Sequence, residues 1–372
     1  MSSLAEGPRH FGSGWISGVL SAILGAMGLG GVLTLLFPQW LSTPDFRPYY
    51  SMPVLRGLLQ FVLVSAFVLG FVSIVLRRNK LLGGIGLAFT TLAVLLGGSE
   101  VPVSEAIPKS NYLGLDWFLL ELFFLALIFV PLEQLFGRLK EQGVFRFGWR
   151  IDMAHFVVSH LLVQLTVFLS MLPAKWFFSW LVDARVHRAV ASQPLPLQFL
   201  EILLVADLAE YWTHRTMHVV PLLWRFHAVH HSSQRMDWLA ASRIHVLDSV
   251  AIRAVTFIPL FVLGFSNQAI FTYLLFVSFH ALFIHANVGF RFGRLDWVLA
   301  TPRFHHWHHA VEAEAVDKNF ATHLPALDML FGTCFLPRAG DRWPRGYGIA
   351  GNPVPENYLR QVLYPLWRGG RQ

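Results

Sequence analysis

Histidines with helical spacing are the residues of this sequence best suited to metal chemistry. They form three short groups, which are His214 and His218, then His227, His230 and His231, then His305, His308 and His309. Positions i, i+3 and i+4 of a helix share one face, so each group can aim its imidazoles at one point. Neutral imidazole binds iron, zinc and copper. Eight imidazoles are too many for one ion, so the spacing predicts a site for two.

Asp207 is the candidate catalytic residue outside the histidine groups. It precedes His214 by seven residues, or two helical turns, and therefore shares its face. A carboxylate inside an apolar helix is costly and is retained for a function. We expect Asp207 to accept a hydrogen bond from an imidazole and thereby fix the direction of the ring. The alternative is a hydrogen bond between two helices.

The composition indicates a membrane protein. Of 372 residues, 55% are apolar and 14% are charged, which lies outside the range of ordinary soluble domains. The net charge of +7 does not indicate nucleic-acid binding, because the basic residues cluster in short loops beside apolar runs. Cys334 is the only cysteine, which excludes an internal disulfide framework and cysteine-ligated iron–sulfur clusters.

The apolar runs predict an all-α, polytopic membrane bundle of eight spans. The spans are 14–37, 54–76, 81–98, 115–136, 153–173, 196–212, 246–265 and 269–286. The first is rich in small residues, which favours close helix packing. The basic loops 77–80 and 138–150 place both termini and all three histidine groups on the cytoplasmic side. The basic segment 174–195 fits this rule less well, so a re-entrant crossing there is the alternative.

Several motifs resemble the fatty acid hydroxylase/sterol desaturase superfamily of membrane di-iron oxygenases. Asp207, Tyr211, His214, Arg215 and His218 match its D-x3-Y-x2-H-R-x2-H helix. Further similarities are the runs HAVHHSS at 227–233, IHAN at 284–287, TPRFHHWHH at 301–309 and DMLFGT at 328–333. The run SRIH at 242–245 is similar to its R-x-H-P element, with Val246 in place of the proline.

The resemblance implies two iron ions, with His245 and His285 as further ligands and zinc as a possible substitute. It also implies O2 as oxidant, an external electron donor of ferredoxin or cytochrome type, and a bilayer lipid (fatty acyl, ether lipid or sterol-like) that is hydroxylated or desaturated. The similarity of the C-terminal run to bacterial members suggests the bacterial inner membrane. We expect an N-terminal transmembrane region at 1–112, the catalytic domain at 113–337 and an interfacial tail at 338–372.

A metal-binding or transport protein without oxygenase activity is the alternative function. Transport requires ligands near the middle of the bilayer, often on broken helices. The histidine groups here are predicted at the ends of spans and in the polar C-terminal region. The sequence therefore favours the oxygenase.

Overall fold

The helices form two compact units, one within Met1–Phe124 and the other within Leu125–Gln372. The computed structural model describes residues 13–42, 51–103, 113–337, 343–351 and 353–366. Every regular element in these residues is an α-helix or a short 3₁₀ helix, and their β-type pairing is limited to two isolated bridges. The all-α prediction is thus confirmed. Residues 338–342, 352 and 367–372 of the predicted tail lie outside the described residues.

The first unit is built from long apolar helices. Its helices are α1 (Trp15–Leu36), α2 (Pro38–Leu41), α3 (Met52–Leu76), α4 (Leu81–Leu95) and the first part of α5 (Leu115–Phe136). Val32, Leu35, Leu59, Leu63 and Ala93 form a buried core among α1, α3 and α4.

Small residues bring α1 and α4 close together. A Cβ atom added to Gly86 on α4 would lie only 2.7 Å from the backbone carbonyl carbon of Ser21 on α1. Ser21 donates its hydroxyl to the Ala66 carbonyl on α3 at 2.7 Å. The glycine thus permits an approach that no other residue allows, as the small-residue content of α1 predicts.

The second unit holds the remaining helices and every histidine of the three groups. Its helices after α5 are α6 (Trp149–Leu161), α7 (Val163–Phe177), α8 (Ala184–Ala191), α9 (Leu195–Val219), α10 (Pro221–His231), α11 (Val246–Leu263), α12 (Asn267–His285), α13 (Pro302–His308), α14 (Pro325–Leu330) and α15 (Tyr358–Leu363). Ile202, Leu203, Leu260 and Tyr273 belong to a buried core shared by α9, α11 and α12. This core fixes the three long helices from which the histidine region extends.

The number of candidate membrane spans is six, or eight if bent helix pairs are included. The six are Trp15–Leu36, Met52–Leu76, Leu81–Glu100, Leu115–Phe136, Val246–Leu263 and Asn267–His285. The predicted spans 153–173 and 196–212 fall on the pairs α6–α7, bent by 60°, and α8–α9, bent by 120°. The protein is therefore a polytopic membrane protein, and each of these two bent pairs forms either a broken span or a re-entrant loop.

Candidate metal centre

The histidine groups occupy the ends of four helices. The first group closes α9, the second closes α10, and the third fills α13 with His309 as its C-terminal cap. His285 is the last residue of α12. Proline begins both α10 and α13, a position where its missing N–H costs nothing, so short helices start sharply there. The four helix ends bring the imidazoles together.

Nine imidazoles form two clusters that could each hold an ion. Within each cluster, one ring nitrogen of every residue lies within 4.8 Å of the others. Cluster A contains His214, His218, His227, His231 and His308. Cluster B contains His230, His285, His305 and His309. All are buried except His218, which is half-buried.

The second and third histidine groups each divide between the two clusters. The expectation that each group aims at a single point is therefore wrong for both. His230 belongs to cluster B and His231 to cluster A, while His308 and His309 divide in the opposite order. Consecutive side chains of an α-helix point about 100° apart, so neighbouring histidines join different clusters. The rings of His231 and His309 stack with centroids 4.4 Å apart, which places the clusters side by side.

The hydrogen bonds of the rings leave lone pairs that face one another. Six of the nine histidines turn Nδ1 toward an oxygen atom, so Nδ1 carries the proton of the neutral ring and Nε2 does not. The Nε2 atoms of His214 and His227 are 3.0 Å apart, and those of His230 and His285 are 3.3 Å apart. Facing lone pairs repel at such distances, whereas a cation between them binds both. The donor set fits a metal ion in each cluster.

Burial also keeps the rings in the ligating form. It lowers the pKa of His308 from the usual 6.5 to about 3. Burial and the neighbouring imidazoles lower the pKa of His231 and His309 well below the usual value. The Nε2 atoms of His231 and His308 are buried without a hydrogen-bond partner among the described residues. Neutral imidazole binds metal without first losing a proton, so these residues are ready to ligate at neutral pH.

The segment 317–324 supplies three of the oxygens that orient cluster A. Asp317 Oδ1 lies 3.3 Å from His218 Nδ1. The Lys318 carbonyl oxygen lies 2.8 Å from His308 Nδ1, and the Phe320 carbonyl oxygen lies 2.7 Å from His214 Nδ1. Asp317 and Asn319 have φ angles of 55° and 57°. Asp and Asn tolerate this left-handed conformation better than most residues. The two residues thus allow the turn that presents the oxygens.

Two buried carboxylates hold this segment in place. Asp328 accepts the backbone N–H groups of Phe320 and Ala321, both at 2.8 Å. Asp207 accepts those of Thr322, His323 and Leu324 at 3.0, 3.1 and 2.6 Å. The expected hydrogen bond between Asp207 and an imidazole is replaced by these backbone contacts, because the returning segment lies between Asp207 and His214. Asp207 is therefore linked to His214 indirectly, through the segment whose Phe320 carbonyl lies against His214 Nδ1.

Asp248 orients an imidazole directly, and the sequence analysis missed it. Its Oδ2 atom lies 2.9 Å from Nδ1 of His227, and both side chains are buried. Asp248 stands in the first turn of α11, an otherwise apolar helix. A lone carboxylate at the start of such a helix was the signal that could have revealed it.

A buried ion network holds the carbonyl that orients His230. That carbonyl belongs to Arg243 and lies 3.0 Å from Nδ1 of His230, while the Arg243 guanidinium pairs with Asp152. Arg146 lies 2.6 Å from Asp152 and 2.5 Å from Asp237. All four charged side chains are buried, a condition that proteins tolerate only when charges are paired. Removing one partner would leave an uncompensated charge next to cluster B.

His245 lies outside both clusters, although it was expected to be a ligand. Its Nδ1 accepts the backbone N–H of Leu247 at 3.2 Å as the N-terminal cap of α11. Its Nε2 donates to the Val362 carbonyl at 3.1 Å. Both ring nitrogens are therefore committed to local hydrogen bonds.

Three further histidines of this region, His280, His306 and His323, make hydrogen bonds outside the two clusters. His306 donates from Nε2 to the carbonyl of His285 at 3.1 Å, and its Nδ1 lies 2.8 Å from the Tyr347 hydroxyl. His280 and His323 pair with each other, with their Nδ1 atoms 3.0 Å apart. None of the three belongs to cluster A or B.

Comparison with known proteins identifies the region that contains the clusters. Residues 199–333 match the fatty acid hydroxylase family. The chain is 34% identical over 183 residues to the ornithine lipid hydroxylase OlsE of Rhizobium tropici, which is 48% of this chain and 53% of that protein. It is 32% identical over 138 residues to the alkylglycerol monooxygenase of Homo sapiens, 37% of this chain and 31% of that protein. No solved structure matches the chain at a significant level.

These matches cover part of each protein. The chain spans about half the length of the ornithine lipid hydroxylase and about a third of the alkylglycerol monooxygenase. The matched family region contains all nine cluster histidines together with the segment 317–324. The resemblance that the histidine motifs indicate is confirmed for this region.

Proposed function

We propose that this chain, whose residues 199–333 match the fatty acid hydroxylase family, is a membrane-bound di-iron oxygenase that hydroxylates a C–H bond of a lipid. The observation that carries the proposal is the pair of adjoining clusters, in which nine histidines turn ring nitrogens toward two points. A structural zinc site would need only four ligands and no second site beside it. Two adjoining sites suit chemistry that needs more than one electron from the metal.

Iron is the proposed metal because of what the relatives do. Their names describe a hydroxylase and a monooxygenase, and both terms denote insertion of oxygen. Imidazole clusters bind zinc as readily as iron, so zinc can replace iron in a purified sample. When bound, two iron ions supply the redox chemistry that activates O2 with electrons from an external donor, of ferredoxin or cytochrome type.

The chain itself orients the ligands and keeps water away from them. Oxygens of Asp248, Arg243 and the segment 317–324 fix which nitrogen of each ring is free to bind metal. Phe320 lies against the rings of His214 and His308, with centroids 5.8 and 6.0 Å away. Such aromatic walls exclude water, which limits side reactions of an activated site.

The proposed substrate is a membrane lipid with a polar head group and a long hydrocarbon chain. This proposal rests on the relatives, whose names refer to ornithine lipid and alkylglycerol. It also rests on the position of His285 at the end of α12, a candidate membrane span. A site at the end of a span can receive a hydrocarbon chain from the bilayer. We further propose that the site faces the cytoplasm of a bacterial inner membrane, and that 113–337 is the catalytic domain.

Lipid mass spectrometry tests the proposal. We expect lipids from cells that express the protein to include a species heavier by one oxygen atom, derived from isotopically labelled O2. His230→Ala and His308→Ala, one from each cluster, should abolish this product. His160→Ala is the matched control, because His160 lies outside both clusters and should leave the product unchanged.

The same experiment separates the alternatives. A product that lacks two hydrogens, without added oxygen, would identify a desaturase. An unchanged lipid profile from protein that carries both iron ions and receives electrons would contradict the oxygenase proposal and favour the metal-binding or transport alternative.

A further inference from the structure

A third group of ligand-type side chains lies apart from clusters A and B. Asp207, Glu210 and His323 each place one oxygen or nitrogen atom within 4.8 Å of the others. Asp207 and Glu210 are three residues apart on α9, while His323 comes from the segment 317–324. Asp207 and His323 are fully buried and Glu210 is partly buried.

The hydrogen bonds around His323 determine which of its nitrogens is free. His280 directs Nε2 at the Ala300 carbonyl at 2.9 Å, so Nε2 carries its proton and Nδ1 holds a lone pair. His323 Nδ1 lies 3.0 Å from His280 Nδ1 and must therefore donate a hydrogen bond to its lone pair. The proton of the neutral His323 ring is thereby placed on Nδ1. His323 Nε2 is left with a lone pair.

That lone pair is buried and has no hydrogen-bond partner among the described residues. A buried acceptor without a partner is costly, and a carboxylate beside it offers only further acceptors. Asp207 Oδ2 accepts one backbone N–H and Glu210 Oε1 accepts the Thr322 hydroxyl at 2.8 Å, so each carboxylate retains unused lone pairs. Two carboxyl groups and one imidazole lone pair in a buried site are satisfied either by a proton on a carboxyl group or by a cation bound among the three side chains, and the metal counts below distinguish the two.

We propose that Asp207, Glu210 and His323 bind a third divalent metal ion, distinct from the two ions of clusters A and B. Two oxygens and one nitrogen suit a first-row ion such as Mn²⁺, Fe²⁺ or Zn²⁺, and the carboxylates make the site more favourable to Mn²⁺ than the all-imidazole clusters are. The ion joins α9 to the segment 317–324. That segment orients His214, His218 and His308, so the third ion stiffens the support of cluster A.

Metal counting with manganese tests the site. Full-length protein in detergent would be stripped of metal, equilibrated with Mn²⁺ and freed of unbound ion, and its metal content measured per chain. We expect Glu210→Gln and His323→Gln each to bind one ion fewer than the wild type. Glu201→Gln is the matched control, because Glu201 also lies on α9 but belongs neither to clusters A and B nor to the third site. This variant should retain the wild-type metal count.

The number of ions lost separates this site from the others. His230→Ala removes a ligand of cluster B, so combining it with Glu210→Gln should lower the count further than either change alone. The Glu210→Gln decrement does not depend on whether clusters A and B hold iron or perform oxygenase chemistry. Unchanged counts in both the Glu210 and His323 variants would overturn the proposal. If neither variant folds, a wild-type chain that holds no more than two ions when it is loaded with both iron and Mn²⁺ would overturn it as well.

Discussion

At the scale of single residues, the metal centre depends on oxygens that the histidine pattern does not reveal. Each imidazole has two nitrogens, and the oxygen beside one of them decides whether the other can bind metal. Asp248, Asp317 and the carbonyls of Lys318 and Phe320 do this for cluster A. These groups act only through the rings they orient, so their loss should weaken metal binding without removing a ligand.

Asp248→Asn should weaken metal retention in cluster A by roughly ten- to a hundredfold. The amide can present its NH₂ group to His227 Nδ1, which would favour the tautomer with its proton on Nε2. Dialysis against a chelator, followed by metal analysis, measures the effect. Asp317→Asn is the control, because the Asp317 side chain is 55% exposed and its contact with His218 is longer, at 3.3 Å. Equal losses in the two variants would show that the buried Asp248 carboxylate has no special role.

At the scale of secondary structure, the geometry of short helices assigns neighbouring histidines to different clusters. In α10, and in α13 with its C-terminal cap, the histidines at positions i and i+4 belong to one cluster. The histidine at position i+3 belongs to the other cluster. A compact pair of helix ends therefore serves two sites at once. This arrangement explains how a region of about a hundred residues can form two adjoining ligand clusters.

Double substitutions test the division between clusters. His231→Ala with His308→Ala removes two ligands from cluster A alone, so this double variant should lose about one ion per chain. Its loss should not exceed the loss from a single substitution that empties cluster A. His308→Ala with His309→Ala removes one ligand from each cluster and should lose about two. Metal analysis of purified protein measures both. Equal losses from the two pairs would contradict the assignment of His308 and His309 to different ions.

Close packing of α1 against α4 gives a second prediction at this scale. Gly86→Ala should lower the thermal stability of the purified protein, because the added methyl group meets the backbone of Ser21. Overpacking of this kind costs about 1–3 kcal/mol. Gly84→Ala on the same helix is the control, since an added Cβ there meets no atom within 4 Å. It should leave stability unchanged or raise it slightly through better helix propensity. A similar loss in both variants would argue against the packing explanation.

At the scale of the whole molecule, the number of crossings depends on the two bent helix pairs. Six helices qualify as spans by themselves, and the pairs α6–α7 and α8–α9 add two if each crosses once. Helix α8, the first helix of the second pair, carries Arg185 and Arg188, which is unusual for the side opposite the cytoplasm. Whether each bent pair crosses the membrane decides between eight spans and six.

Cysteine labelling tests the eight-span topology. In a chain with Cys334→Ser, single cysteines at the exposed positions Phe145 and Gln234 should react with a membrane-impermeant reagent from the same side, which we propose is the cytoplasm. A cysteine at Ser192 should react from the opposite side. If all three react from one side, the bent pairs are re-entrant and six spans remain. If cysteines at Phe145 and Gln234 label from opposite sides, the placement of the histidine groups at the cytoplasmic face is wrong.

The sequence by itself determined the class of the fold and the type of site. Apolar runs of about 20 residues predict membrane helices whatever their neighbours are, because length and composition decide whether a helix crosses a bilayer. Repeated i, i+3 and i+4 histidines indicate metal binding for a similarly local reason, since one helix face fixes their direction. These local rules found eight of the nine cluster histidines from spacing, and the IHAN run pointed to His285.

Only the tertiary structure decided how the ligands divide and what orients them. The oxygens beside cluster A come from α11 and the segment 317–324, which are distant from their histidines in sequence. No periodicity links such residues, because their proximity results from packing between elements. The same holds for Asp207 and His245, whose neighbours in space took up the hydrogen bonds that the sequence assigned to the metal centre. Local patterns specify which residues can ligate a metal, and packing between distant segments specifies which of them come together in a cluster.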